Sequence, residues 1–479
     1  MSTERVRGYR FGPRDQRGLF ASLSALQISA LSASAVGAVA IARLSRLHHR
    51  LFVALALIVF AVVVSFVRVA GRSLVEWLPE VGGYVSAGIS GNRRVTYRSS
   101  RRGLVTGTSR LFGGFRFLDL VYQGQRVGGV YDDTESTLSA ALEIESEQFS
   151  LLDEETRQRR VAEWSSVLAA LNADRSLYRL KWIVQTMPDS PSRYRASIAR
   201  ASLSSDVDRM NDAVASYSQL CEELQRSALR TEQFLVVSVR FTFPRSRSRR
   251  SKSPNLEKGE FVNFVRQVGL VERRLVEAGL QVCGVCTKRS LIKMTQRRFE
   301  FSDVSPARRS PWPAALEERW ENLRTDGLWH STYWIAEWPR DEVSTGFLLP
   351  LLGDNSVRKC VSLSMTPVHQ ERATRIAERR RTSSVADAEL RRRYGFALSS
   401  RVRSQHEAVI QREEELASGH VGYEFSGYVT VSANSGEELQ RACEQLEQSC
   451  VLAHLEIRRL YGMQRASLLF GFVNARGCQ

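Results

Sequence analysis

Hydrophobic and polar positions divide the chain into two regimes. From Leu19 to Ala42 no charged residue occurs, and from Leu51 to Val67 the run reads LFVALALIVFAVVVSFV. The first run has 24 residues, more than the roughly 20 that cross a bilayer as a helix. The eight residues between them hold Arg43, Arg46, Arg50, His48 and His49. This pattern predicts two spans, Leu19 to Ile41 and Leu51 to Val67, joined by a tight loop into a transmembrane hairpin. Two other readings of the apolar runs are a signal peptide cleaved after Ala38-Val39-Ala40 and a hairpin that does not cross. The near-immediate second run argues against the former, and the length and lack of charge of both runs against the latter.

Beyond the apolar runs, the pattern alternates between strands and helices. Residues 81–110 form a basic linker, suited equally to anionic headgroups and to a plain solvated loop. Phe117 to Val121 and Val127 to Tyr131 flank Gly124, a hairpin signal, and Leu138, Ala140, Leu142 and Ile144 alternate as one strand face. Asp153 is placed to cap a helix whose stripe is Val161, Trp164, Leu168 and Leu171. A strand follows from Leu177 to Val184, closing a first α+β module over 111–190. A second module, 191–310, holds a helix Val207 to Thr231, a strand Phe234 to Phe241, an Arg/Ser-rich loop 244–254, a helix Phe261 to Leu280 and a strand Leu280 to Cys283.

Residues 311–366 are Trp-rich, with Trp312, Trp320, Trp329, Trp334 and Trp338, strands at Ser331 to Trp338 and Lys359 to Met365, and between them a short helix from Asp341 to Leu352. Residues 367–420 read as a long charged helix. Residues 421–479 read as a β-α-β-β module: strand Tyr428 to Ser432, a helix opened by a capping box of Ser435 and Glu438, then strands Leu455 to Leu460 and Ala466 to Val473. The fold class expected is therefore α+β, an N-terminal two-helix transmembrane hairpin followed by tandem cytoplasmic ferredoxin-like modules and a long charged helical segment.

Charge refines this picture. The net charge is +17, and only six of the 68 basic residues are Lys. Arg used throughout the chain reflects base composition more than one binding surface. Residues 1–100 nevertheless carry 13 Arg against four acids, so the basic excess coincides with the apolar runs. The Arg before the first span and after the second place both termini in the cytoplasm of a bacterial inner membrane. Seven Cys without a framework suit a reducing compartment.

Candidate chemistry is sparse. No G-x-x-x-x-G-K-[ST], H-E-x-x-H or G-x-S-x-G occurs. Cys283-Gly284-Val285-Cys286 lacks a second ligand pair for zinc and reads as two ordinary thiols. Asp132-Asp133 reads as a turn opening rather than a cation site. The Arg-rich stretches 244–253 and 379–393 could meet phosphates but have no interleaved aromatics for base stacking. No catalytic, cofactor-binding or metal residue is assigned, and no cofactor is expected.

The basic N-terminus, the two apolar runs and Gly71-Arg72-Ser73-Leu74-Val75-Glu76-Trp77-Leu78-Pro79 resemble PrgI-type proteins, small inner-membrane subunits of conjugation and type IV secretion systems. The remainder resembles the N-terminal, non-motor region of VirB/TrbE-type secretion ATPases. The carrying segments are Trp329-His330 through Trp338-Pro339, Phe347 to Leu352, Arg412 to His420 (REEELASGH) and Arg459 to Gly462. The motor is missing, so the resemblance implies a non-enzymatic scaffold that docks a separate P-loop secretion ATPase. It would be a homo-oligomer in a larger assembly on the lipid bilayer, meeting DNA only indirectly. Arg72, Trp77 and Pro79 are then expected at the membrane interface, with Pro79 ending a helix. Trp329, Trp334 and Trp338 become candidate partner-docking residues. The rival reading is a membrane-tethered nucleic-acid-binding protein that uses the Arg-rich segments.

Overall fold

A computed structural model describes residues 25–44, 50–69, 72–91, 93–96, 98–99, 105–106, 112, 114–122, 124–145, 151–188, 229–241, 258–299, 311–339, 342–369, 375 and 422–477. The chain is a mixture of helices and antiparallel sheet with an apolar helix near its N-terminus. That helix, α1, is Ala25–Leu44, and a second apolar helix, α2, is Arg50–Phe66. Within α1, Leu26–Arg43 is long and apolar enough to cross a membrane, while Leu51–Phe66 is shorter. Gln27 Nε2 donates to the Ser65 carbonyl at 2.8 Å, so the start of α1 lies beside the end of α2. Helix α3 follows at Leu74–Ile89. Leu19 and the loop 45–49 lie outside the described residues.

Thirteen strands among the described residues form one sheet. In chain order they are β1 (Arg94–Thr96), β2 (Phe115–Tyr122), β3 (Gln125–Asp132), β4 (Thr137–Glu145), β5 (Leu177–Pro188), β6 (Leu229–Arg240), β7 (Gln281–Val285), β8 (Ala315–Glu318), β9 (Leu323–Thr325), β10 (Trp329–Glu337), β11 (Lys359–Val368), β12 (Gly422–Ala433) and β13 (Glu456–Arg459). The spatial order is β1-β8-β9-β10-β12-β11-β5-β6-β4-β3-β2, with β7 also on β4 and β13 also on β10.

The same plan is laid down twice. A hairpin (β2–β3 or β8–β9) leads into β4 or β10, which shares one side between that hairpin and a later strand, β7 or β13. Within each half the strand order is fourth, first, third, second: β7-β4-β6-β5 and β13-β10-β12-β11. The halves join where β5 pairs with β11, from Leu180 opposite Met365 to Thr186 opposite Lys359. Both second-to-third connections, 189–228 and 369–421, fall almost wholly outside the described residues, and with them REEELASGH and most of the expected helix Val207 to Thr231 and of the charged helix 367–420; where those two expectations enter the described residues, 229–231 belong to β6 and 367–368 to β11, paired in the sheet instead of helical. The Arg/Ser-rich loop 244–254 lies outside them too.

Helices cover one face of the sheet. Helix α4 (Glu154–Asn172) starts at Asp153, whose carboxylate accepts from the Thr156 hydroxyl at 2.7 Å and from Thr156 N at 3.0 Å; the hydroxyl first and the amide second hold its carboxyl below the usual range. Helix α5 (Lys258–Glu277) buries Phe264, Val265, Val268, Val271 and Leu275 against Leu138, Ala140, Leu142 and Leu235. Each such side chain contributes about 1.5–3 kcal/mol of burial. Helix α8 (Gly436–Leu452) does the same over β10 and β12 with Leu439, Ala442 and Leu446. Ser435 Oγ accepts from Glu438 N at 3.1 Å, but the Glu438 carboxylate reaches past Ser435 to the Asn434 amide, so the box is offset by one residue.

The opposite face is covered by α6 (Lys288–Arg297), by Phe299 and Trp312, and by residues 464–477. Here the expected strand Ala466 to Val473 gives way to a one-turn helix, α9 (Gln464–Ser467), and the 3₁₀ turn Leu468–Gly471. A continuous apolar run reads equally as strand or buried turn, and this one packs flat on a sheet face. Of the helix expected from Asp341 to Leu352, only α7 (Leu349–Leu352) is helical among the described residues, with Pro350 near its start, where proline is tolerated. The module boundaries expected from the sequence run through the sheet: β4 of the first expected module pairs with β6 and β7 of the second.

Candidate functional site

Helix α3 connects the apolar helices to the sheet, and its side chains define the candidate site. A two-residue ribbon sets its start: Val69 pairs with Arg72 and Arg68 with Ser73. Ser73 N donates to Glu76 Oε2 at 3.3 Å, satisfying an amide at the helix entrance. Pro79 does not end the helix, which continues to Ile89. Proline removes one N–H and crowds the preceding turn; here tertiary packing on both sides of it overrides that penalty.

Trp77 and Tyr84 lie seven residues apart on one face of α3, and both meet Trp320. The Trp77 and Tyr84 ring centroids are 6.0 and 5.0 Å from that of Trp320, and Tyr461 stacks on Trp320 at 6.2 Å. Trp77 also lies 5.7 Å from Tyr461. So the structure packs Trp77 on the sheet body. Aromatic pairs of this kind add about 0.5–1.5 kcal/mol each beyond their buried area.

Two glycines permit this packing. Gly462 has φ +70, and a Cβ there would stand 2.7 Å from the Trp320 ring; its amide donates to the Trp320 carbonyl at 2.8 Å. At Gly88 a Cβ would stand 2.6 Å from the Arg93 guanidinium. Arg93 turns back to donate from Nε and Nη2 to the Tyr84 carbonyl at 3.1 and 2.8 Å, its charge 3.7 Å over the Tyr84 ring. The Arg93 carbonyl accepts from Glu318 N at 2.9 Å, which ties the end of α3 to the sheet edge.

Below the aromatic group lies a cavity of about 330 Å³ lined by Trp77, Tyr333, Glu447, Arg458, Arg459 and Tyr461, among others. That is at the low end of the roughly 300–1,000 Å³ range of small-molecule pockets. Arg459 spans it, donating to Tyr333 Oη at 2.8 Å and Glu321 at 3.1 Å. Tyr333 donates to Glu447 at 3.0 Å. Burial, reinforced by Cys443, pushes the Tyr333 phenol well above its ordinary range, so it remains a donor. The polar groups facing the cavity are thus engaged with one another and brace the junction.

The other predicted residues are spread over the molecule. Ile41 lies in α1 and Leu51 in α2, and Val67 follows α2, its N–H donating to the Val63 carbonyl at 2.8 Å. Arg72 lies in the ribbon. Trp329 and Trp338 are half-buried on the α8 side, Trp329 beneath Arg319 and Arg324, and Trp338 edge-on to Phe425. Trp334 packs on the opposite face with Tyr428, Leu460 and Phe470, so the three Trp do not form one patch. The Trp that holds the rings of α3 is Trp320, which strand periodicity did not single out, while Trp312 gathers a second set, Phe112, Phe115, Phe117 and Phe472, on the face covered by α6.

Two of the groups with catalytic potential, His330 and Cys286, are buried and held neutral. Burial, with Arg358 and Arg298 nearby, lowers His330 to about 3, and its two ring nitrogens meet Thr325 Oγ1 at 2.9 Å and Ser432 Oγ at 2.8 Å. Cys283 is exposed, while burial pushes the Cys286 thiol up to about 12. Among the described residues no three His, Cys, Asp or Glu side chains gather as a metal group. Asp132 opens its turn by accepting from Thr134 N at 2.9 Å. No family model matches the chain, and no curated protein matches it.

Proposed function

We propose that the chain is a membrane-anchored structural protein that holds a large α+β body against a bilayer and docks a separate P-loop secretion ATPase there. The observation that carries the anchoring is the surface of α2. Leu51, Phe52, Leu55 and Phe60 are 60–74% exposed, over more than half of the helix circumference. A contiguous apolar surface of this kind needs a partner that is not water, and lipid supplies one without asking for a specific shape. On this reading α1 and α2 are the hairpin, and the Arg on either side of it place both ends in the cytoplasm of a bacterial inner membrane.

The docking part of the proposal rests on the resemblance to the non-motor region of secretion ATPases. The twofold strand order supports reading each half as a ferredoxin-like module, and the chain as a non-enzymatic subunit of a conjugation or type IV-like apparatus. Confinement to a membrane plane raises the effective concentration of a weakly bound partner.

The test is a pull-down of the tagged full chain from native membranes in mild detergent, with mass spectrometry. A P-loop secretion ATPase retained at high salt is the expected result. Nucleic acid and ribosomal proteins released by salt, with no ATPase, would replace the scaffold by the nucleic-acid tether. Recovery of the chain from the soluble fraction alone would remove the anchor.

A further inference from the structure

Helix α3 presents three faces of different character. One carries Trp77 and Tyr84 to the sheet. A second is small and polar, with Pro79, Gly83 and Ser86 exposed. The third carries Leu78, Val81, Val85 and Ile89, spaced three or four residues apart, the repeat of a single helical stripe. These four side chains are 62, 40, 47 and 85% exposed. A helix that needed only to pack on the sheet would have no use for this stripe.

The stripe begins where the apolar helices end. Leu74 N donates to the Val67 carbonyl at 3.2 Å, so the first turn of α3 is bonded to the residue just after α2. Helix α3 touches both α1 and α2. Its apolar stripe therefore starts about one turn after the end of α2, on a helix packed beside both apolar helices. In sequence, Arg68 and Arg72 precede the helix, the charge that anionic headgroups attract.

We infer that α3 is an interfacial helix, lying in the plane of the bilayer surface with Leu78, Val81, Val85 and Ile89 set into the headgroup–acyl boundary. Its Trp77–Tyr84 face clamps the sheet through Trp320. One helix then grips lipid with one side and protein with the other, and the body is held at a set angle to the membrane instead of swinging on a tether. This inference rests on the reading of α1 and α2 as membrane spans.

The test places single tryptophans in the full chain, reconstituted in bilayers of phosphatidylcholine and phosphatidylglycerol brominated either near the ester or near the acyl terminus. Val85→Trp probes the stripe, Ser86→Trp the polar face, and Phe60→Trp the middle of α2; all three positions are exposed, and each signal is read as the increment over wild type. The expected result is that ester-proximal bromine quenches the Val85→Trp increment about twofold more than the Ser86→Trp increment, while terminal bromine quenches Phe60→Trp. Quenching of Phe60→Trp with Val85→Trp and Ser86→Trp alike would overturn the interfacial helix and leave the anchor standing. An unquenched but blue-shifted Val85→Trp would assign the stripe to a protein partner or a second copy, again overturning the inference. An unquenched Phe60→Trp would defeat the membrane reading itself, and this inference with it.

Discussion

His330 shows how a residue that suggests chemistry in the sequence becomes structural in the fold. It is 1% exposed, bonded to two hydroxyls, edge-on to Phe299, and depressed from its ordinary 6.5 to about 3. Between those values the unfolded chain binds a proton that the native state refuses, so stability is present above pH 6.5 and is lost as pH falls toward 3. Near pH 5 the loss is about 2 kcal/mol. Thermal unfolding near pH 7 and near pH 5 should show a smaller drop in His330→Asn than in wild type; equal drops would refute the assignment. The cysteine motif separates in the same way. Cys283 is exposed and Cys286 is a buried, protonated thiol, so alkylation of the native protein near pH 8 should modify Cys283 and spare Cys286 in a peptide map.

At the scale of elements, α3 was legible only in part. Within residues 71–79 the sequence points to Trp77 and Pro79. That the helix would continue through Pro79, with Trp77 turned to the sheet, depended on Trp320 and Tyr461, which come more than two hundred residues later in the chain. No local pattern encodes such a contact. Trp320→Ala removes the rings' common partner, and about 2–3 kcal/mol of local stability with it. Amide exchange across 74–89 should then rise roughly 30- to 150-fold, while β12 and α8 exchange as before. Unchanged exchange in α3 would mean that the aromatic group does not hold the helix. Elements with a complete local signature were legible: the Asp153 cap, the turn at Gly124 with φ +80, and the α5 stripe from Phe261 to Leu275.

At the scale of the molecule, the segment 464–477 crosses from one half of the sheet to the other. Gln464 accepts from Thr332 N at 2.8 Å on β10, Asn474 accepts from the fully buried Lys181 at 3.0 Å on β5, and the Ala475 carbonyl accepts from Arg179. The crossing ends at Arg476, which donates to both oxygens of Asp132 at 2.7 and 2.9 Å. The Asp132 side chain is 1% exposed, so losing its partner strands a buried charge. Arg476→Ala should lower unfolding stability by about 3–5 kcal/mol, and Asp132→Asn in the same chain should recover part of it. A cost within experimental error for Arg476→Ala would show that the crossing does not join the halves.

The sequence by itself determined the local elements and the two apolar runs, because helical and strand periodicity, capping residues and uncharged length are properties of neighbouring positions. It also carried the α+β class. What only the tertiary structure decided is how the elements combine: that the expected modules merge into one sheet through the β5–β11 pair, that Ala466 to Val473 folds as turns on a sheet face, and that Trp320 rather than Trp329, Trp334 or Trp338 receives the aromatic face of α3. Each of these depends on which distant surface is available to bury a given side chain, and burial is decided between segments rather than within them.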